Sequence, residues 1–171
     1  MITINTYNNF TNSQNNTSSV NEPPKKVKSL FEKEEEIITG SYDFKYVINN
    51  NNSKIVYKGS YNNKDVNGKY TDDVKSYDYI IKNQNVYIIK NDKKVPYKDL
   101  YENLDYRLFD LENVFKSIKE KTYIKKIKDN VNIYSYDYLD YTLNIEADDN
   151  NILKIIYYNE KTNYTLNFIR K

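Results

Sequence analysis

The sequence contains no cysteine and no histidine among 171 residues. Without cysteine there is no disulfide, no thiolate metal site, no thiol nucleophile and no lipidated cysteine within this chain. Without histidine the usual general base and the commonest metal ligand are missing. Tryptophan is absent too, and there are three glycines and three prolines. Gly40, Gly59 and Gly68 lie far apart, so no glycine-rich loop is present to cradle phosphate. No apolar run approaches the ~18 residues of a membrane span, and no basic-then-apolar signal peptide is present. Charge of one sign is also lacking: 26 Lys and Arg against 24 Asp and Glu leave a net +2. That balance predicts no nucleic-acid partner. No cofactor and no metal are expected.

Tyrosine is abundant, 20 residues against 6 phenylalanines, and aromatics make up 15% of the chain. Asn, Lys, Ile and Tyr dominate together, as A/T-rich codon usage produces, and that is the leading account of the tyrosine excess. The hydrophobic share is 39% and the mean hydropathy is −0.89, both low. A chain of this length fits one domain, which buries roughly 70% of its unfolded surface and needs no covalent staples.

Residues 1–24 read as an Asn/Ser/Thr-rich disordered linker closed by Pro23-Pro24, because they carry too little apolar area to offset their ordering entropy. Such a tract directly after Met1 reads as a spacer from which an anchor or signal has been removed. It predicts an extracytoplasmic, membrane-tethered domain; a natural start at Met1 predicts a cytoplasmic one. Residues 25–171 form the single domain. A short helix is expected over 25–36, with Val27, Leu30 and Phe31 on one side and Glu32, Glu34, Glu35 and Glu36 opposite.

After Gly40 the period becomes two. Tyr42, Phe44, Tyr46 and Ile48 alternate with polar neighbours, as do Ile55, Tyr57, Gly59 and Tyr61. A weaker strand follows Gly68; Tyr77–Lys82 and Val86–Lys90 come next, joined by polar turns in which Asn takes the place of Gly. Pro96 opposes a central strand. The one convincing helical period runs from Leu104 to Glu120, where Leu104, Leu108, Leu111, Phe115 and Ile118 share a face. Asp110 is a good N-cap, so the preferred helix is Leu111–Glu120. Five further strands follow: 122–128, 131–138, 141–146, 152–158 and 164–169. The fold class predicted is α+β: a single curved antiparallel sheet, an open half-barrel of about eight to ten strands. One main helix near 110–120 packs on its concave face, and a short helix precedes the first strand.

Enzymatic chemistry finds little support. Ser117 and Lys121 have dyad spacing, which any surface helix offers. Asp72-Asp73 and Asp148-Asp149 fall in turns, where solvated or turn-capping carboxylates are the ordinary outcome. Asp148-Asp149-Asn150-Asn151 lacks the spacing of a calcium loop. The chain is expected not to be an enzyme.

The order of elements, with Leu108-Phe109-Asp110-Leu111 opening the helix and Tyr164-Thr165-Leu166-Asn167-Phe168 ending the chain, resembles the LolA-like and LppX-like superfamily of bacterial envelope lipoproteins and lipid carriers. Tyr77–Tyr87 resembles the central hairpin of that half-barrel, and Leu153-Lys154-Ile155-Ile156-Tyr157 its penultimate strand. The resemblance covers about residues 40–171. It implies a non-enzymatic cell-envelope domain whose concave face takes a lipid or other apolar ligand. The alternative is an assembly module that binds an envelope protein partner and no small molecule. An apolar concavity lined by Tyr42, Phe44, Tyr46, Tyr79, Ile81, Phe115 and Phe168 is the expected ligand site; the same side chains also suit plain core.

Overall fold

A computed structural model describes residues 5–6, 27–83, 85–99 and 109–169. The strands are β1 (Asn5–Thr6), β2 (Ser41–Asn50), β3 (Ser53–Asn62), β4 (Asp65–Thr71), β5 (Ser76–Lys82), β6 (Asn85–Lys90) and β7 (Lys93–Pro96). They continue as β8 (Ile124–Lys128), β9 (Val131–Asp137), β10 (Thr142–Ala147), β11 (Ile152–Tyr158) and β12 (Thr162–Ile169). Among the described residues two α-helices accompany them, α1 (Leu30–Thr39) and α2 (Leu111–Ile118). All strands form one open antiparallel sheet in the order β1-β8-β9-β10-β11-β12-β2-β3-β4-β5-β6-β7. Each half is a meander, and the last strand, β12, joins the halves by pairing with β2.

Among the described residues the sheet has twelve strands where eight to ten are predicted. The extra ones sit at the margins. Pro96 ends β7 on the sheet edge, where its missing N–H costs no ladder bond. Asn5 and Thr6, inside the expected linker, pair with Lys125 and Ile124 at the other edge.

Turn chemistry explains why so few glycines suffice. Asn63-Lys64, Asn91-Asp92 and Asp129-Asn130 all hold positive φ, between 45° and 73°. Two consecutive left-handed residues make the type I′ hairpin, and Asn and Asp tolerate that region best after glycine. Other turns are capped by side chains. Asp72 Oδ1 accepts from the N–H groups of Val74 and Lys75, Asp148 Oδ1 from Asn150 and Asn151, and Asn159 Oδ1 from Lys161 and Thr162. Such side-chain turns replace a backbone bond with a local one. Asp72 and Asp148 therefore hold turns.

One face of the sheet is core. Tyr42, Phe44, Tyr46 and Ile48 of β2 lie beside Tyr57 and Tyr61 of β3, Val66 and Tyr70 of β4, Tyr79 and Ile81 of β5 and Ile88 of β6, all buried. The other half contributes Tyr134, Tyr136, Leu143, Ile145, Ile155 and Leu166. Leu111, Phe115 and Ile118 of α2 belong to the same cluster. Asp110 caps α2 by accepting from the Asn113 N–H, and the helix stops at Ile118, two residues short of the predicted Glu120. Leu104 and Leu108 lie outside the described residues.

The first helix corrects the sequence reading. It spans Leu30–Thr39 and not 25–36, and Val27 and Phe31 are 58% and 63% exposed. Ser29 sets the start: its hydroxyl accepts from the Glu32 N–H while the Glu32 carboxylate accepts from the Ser29 N–H. This reciprocal capping box fixes the phase of the helix, which turns Leu30, Ile37 and Ile38 toward the core. The same phase buries Lys33. Burial holds its ammonium below the usual range, although Asp148 and Asp149 nearby pull the other way. No helix among the described residues is long and apolar enough to cross a membrane.

Candidate functional site

The predicted concavity residues come together, but the chain itself covers several of them. Phe109, one residue before the α2 cap, lays its ring 4.8 Å from Phe44, 5.2 Å from Tyr46 and 6.1 Å from Tyr79. Tyr57 completes this ring cluster at 6.0 Å from Phe109. Tyr46 and Tyr79 are 0% and 1% exposed. Tyr42 stacks on Tyr61 at 4.7 Å and meets Phe168 edge-on at 4.9 Å. Ile81 and Phe115 are buried on opposite flanks of α2. Sequence reasoning passed over Phe109 as a ligand-region residue. Its signal was local, a large apolar residue directly before an N-cap, the position that staples the chain entering a helix.

The floor under Phe109 depends on Gly59 and Gly68, which pair across β3 and β4. A Cβ at Gly68 would lie 2.8 Å from the Tyr79 hydroxyl. That hydroxyl is fully buried and has no hydrogen-bond partner among the described residues. Burial raises the Tyr79 phenol well above its ordinary value.

Open volume lies on both sides of α2. A cleft of about 890 Å³ separates α1 from α2 and is lined by Phe31, Glu34, Ile38, Phe115, Ser117 and Lys119 among others. A second cleft of about 600 Å³ lies at the N-terminal end of α2, against Tyr61, Val66, Ile81, Phe109 and Leu111. Ile38 and Glu112 line both, so the two adjoin. The shared wall is fixed by two contacts: the Tyr61 hydroxyl donates to the Ile38 carbonyl at 2.9 Å, and Lys64 pairs with Glu112 at 2.8 Å. Apolar floor and charged rim alternate around the groove.

Glu34 is the unusual charge in the larger cleft. Desolvation raises its pKa to about 7, against the opposing pull of Lys119. Its carboxyl is therefore divided between neutral and ionised forms near neutrality. At the far end of α2, the Ser117 hydroxyl donates to the Val114 carbonyl at 2.7 Å and lies 3.0 Å from the Tyr138 hydroxyl. Lys121 sits over the Tyr138 ring, 4.1 Å from its centre. Both members of the Ser117–Lys121 pair thus anchor α2 to the β9–β10 turn. From there a ring ladder runs along the core face, with Tyr138 to Tyr141 and Tyr141 to Tyr157 both stacked at 4.2 Å.

No family model matches the sequence, and no curated protein matches it. The fold is similar to the crystal structure of LprF from Mycobacterium bovis, with a TM-score of 0.36 and 9% identity, over 80% of this chain and 88% of that one.

Proposed function

We propose that this chain is a non-catalytic binding domain that takes an apolar, chain-like ligand in the groove around α2. On this reading the sheet curves as an open half-barrel, α2 lies across its concave face, and the groove is the part of that face the helix leaves uncovered. The observation that carries it is the pair of adjoining clefts, about 890 and 600 Å³, floored by Ile38, Val66, Ile81, Phe109, Leu111 and Phe115. Concave sites with an apolar floor and a few polar groups at the mouth suit ligands with a long hydrocarbon part. The predicted concavity residues Tyr42, Phe44, Tyr46, Tyr79 and Phe168 then form the wall beneath Phe109, and Ile81 and Phe115 face the ligand. An extracytoplasmic setting, with the polar N-terminal tract as a spacer, goes with this reading.

Native mass spectrometry of protein from a lipid-containing lysate, followed by organic extraction, tests it directly. An apolar molecule should co-purify, and titration with a fluorescent long-chain fatty acid should saturate. Phe31→Ser, at an exposed position on the cleft mouth, should weaken that titration at unchanged melting temperature. No extractable ligand and no saturable probe binding would sink the proposal.

A second reading, an assembly module for an envelope protein partner, is favoured by Leu139 and Val74. They are 99% and 91% exposed, at the tips of the β9–β10 and β4–β5 turns, on the same end of the sheet. Leu139→Ser combined with Val74→Ser should abolish partner capture without touching the fatty-acid titration.

A further inference from the structure

The face of the sheet opposite the core carries a charge pattern that net charge conceals. Register places Lys45 of β2 directly beside Lys58 of β3, and Lys58 directly beside Lys69 of β4. All three are exposed and alternate with the buried Tyr46, Tyr57 and Tyr70, so they share the outward face. On one side the row continues through Asn167 to Lys154 of β11. On the other it meets Asp78 of β5. Lys154 is engaged by Glu146 at 2.6 Å, but among the described residues Lys45, Lys58 and Lys69 make no salt bridge.

Like charges directly opposite one another across strands destabilise a sheet. Here the arrangement occurs twice in succession, in the middle of the sheet, where any neutral polar residue would serve the fold. The row is one lysine wide. Val47, Val56 and Thr71 flank it on one side, and Asp43, Ser60 and Asn67 on the other, where the Ser60 hydroxyl donates to the Asp43 carboxylate at 2.8 Å. It runs across the strands, so successive ammonium groups follow the strand spacing of roughly 5 Å. A narrow line of cations matches a line of anions better than a single ion, and better than a plane of headgroups, which asks for a broad basic patch with protruding apolar side chains. These flanking rows hold no aromatic ring, so there is no platform on which bases would stack.

We propose that this lysine row is a docking surface for a linear phosphate polymer without bases, bound across strands β2, β3 and β4 through its charges alone. The surface is on the opposite face from the groove around α2 and does not depend on it.

The test uses the full chain, with medium-length inorganic polyphosphate as the probe, titrated over a series of salt concentrations. The natural protein should bind with an affinity that falls steeply with salt. The K45Q/K58Q/K69Q variant should lose at least tenfold in affinity at low salt. Its log–log salt slope should be shallower by about two, since each lost phosphate contact on a single chain removes about 0.7. Its melting temperature should be unchanged or higher, because the substitutions remove repulsion. A variant of equal net charge, K98Q/K128Q/K161Q, should bind like the natural protein. Equal binding by the row variant, or equal loss in the charge-matched control, would overturn the proposal. Tighter binding of oligodeoxythymidine than of polyphosphate, or capture by anionic vesicles in place of polyphosphate, would overturn the choice of partner.

Discussion

Gly59 and Gly68 face each other so closely that a Cβ built on Gly59 would stand 2.6 Å from the Gly68 Cα and 2.0 Å from the Asn67 carbonyl oxygen. The contact is backbone on backbone, so no side-chain rotation relieves it. The two glycines are neighbours across β3 and β4 in the middle of the aromatic wall, where their missing side chains let the strands approach. Gly59→Ala should therefore cost roughly 3 kcal/mol or more through forced strand displacement. A chemical-denaturation midpoint matching the natural protein would contradict this.

Phe109 fills the space above that floor, and Phe109→Ala should cost about 3–5 kcal/mol, as large-to-small changes in aromatic cores do. It should also enlarge the apolar cavity. An increase in fatty-acid probe affinity alongside the lost stability would show that Phe109 and a ligand compete for one volume. Lost stability with unchanged probe affinity would place the ligand elsewhere in the groove.

Tyr79→Phe should be neutral or stabilising, by up to about 1 kcal/mol. The hydroxyl is buried without a partner among the described residues, so its removal recovers a desolvation cost and breaks no bond. Differential scanning calorimetry decides this. A clear loss of stability would mean the hydroxyl is satisfied in solution, for instance by a buried water.

Glu34 gives the domain a defined pH response. Its folded pKa is raised from 4.5 to about 7, so the folded chain holds this proton more tightly than the unfolded chain. The stability this contributes is fully present below about 4.5, and is lost as pH rises through about 7. Glu34→Gln keeps the neutral shape and removes the titration. The variant should therefore gain in melting temperature relative to the natural protein as pH is raised from 5 to 8, in a series measured at constant ionic strength. Parallel curves across that window would contradict the assignment.

Much of this architecture is written in short-range patterns. Tyr42, Phe44, Tyr46 and Ile48 announce β2 by alternation alone, since a strand sends successive side chains to opposite faces. Asp110 announces the start of α2 because an N-cap acts on N–H groups within three residues. The Asn-rich turns are equally local. The first helix carries a local signal as well, the Ser29–Glu32 box, which sets its start at Leu30. What was illegible is what depends on register. Nothing near Phe109 in sequence shows that it will meet rings from β2, β3 and β5. Lys45, Lys58 and Lys69 each look like an ordinary solvent-facing residue until pairing sets them side by side. The groove around α2 is likewise a product of how helices sit on strands, and residues far apart in the chain build its walls.

The position of β12 has a consequence for the order of events during synthesis. Asn167 of β12 donates its side-chain amide to the Lys45 carbonyl, 122 residues away, and β12 is the strand that joins one meander to the other. The N-terminal meander can pair internally while the ribosome is still making the rest. Its β2 edge nevertheless stays bare until β12 emerges, and the C-terminal meander waits beside it with a bare β11. A nascent chain stalled before Thr162 thus presents two unpaired hydrogen-bonding borders, both suited to joining the wrong neighbour. Completion of β12 closes both at once, which makes its eight residues the point at which two half-sheets become one molecule.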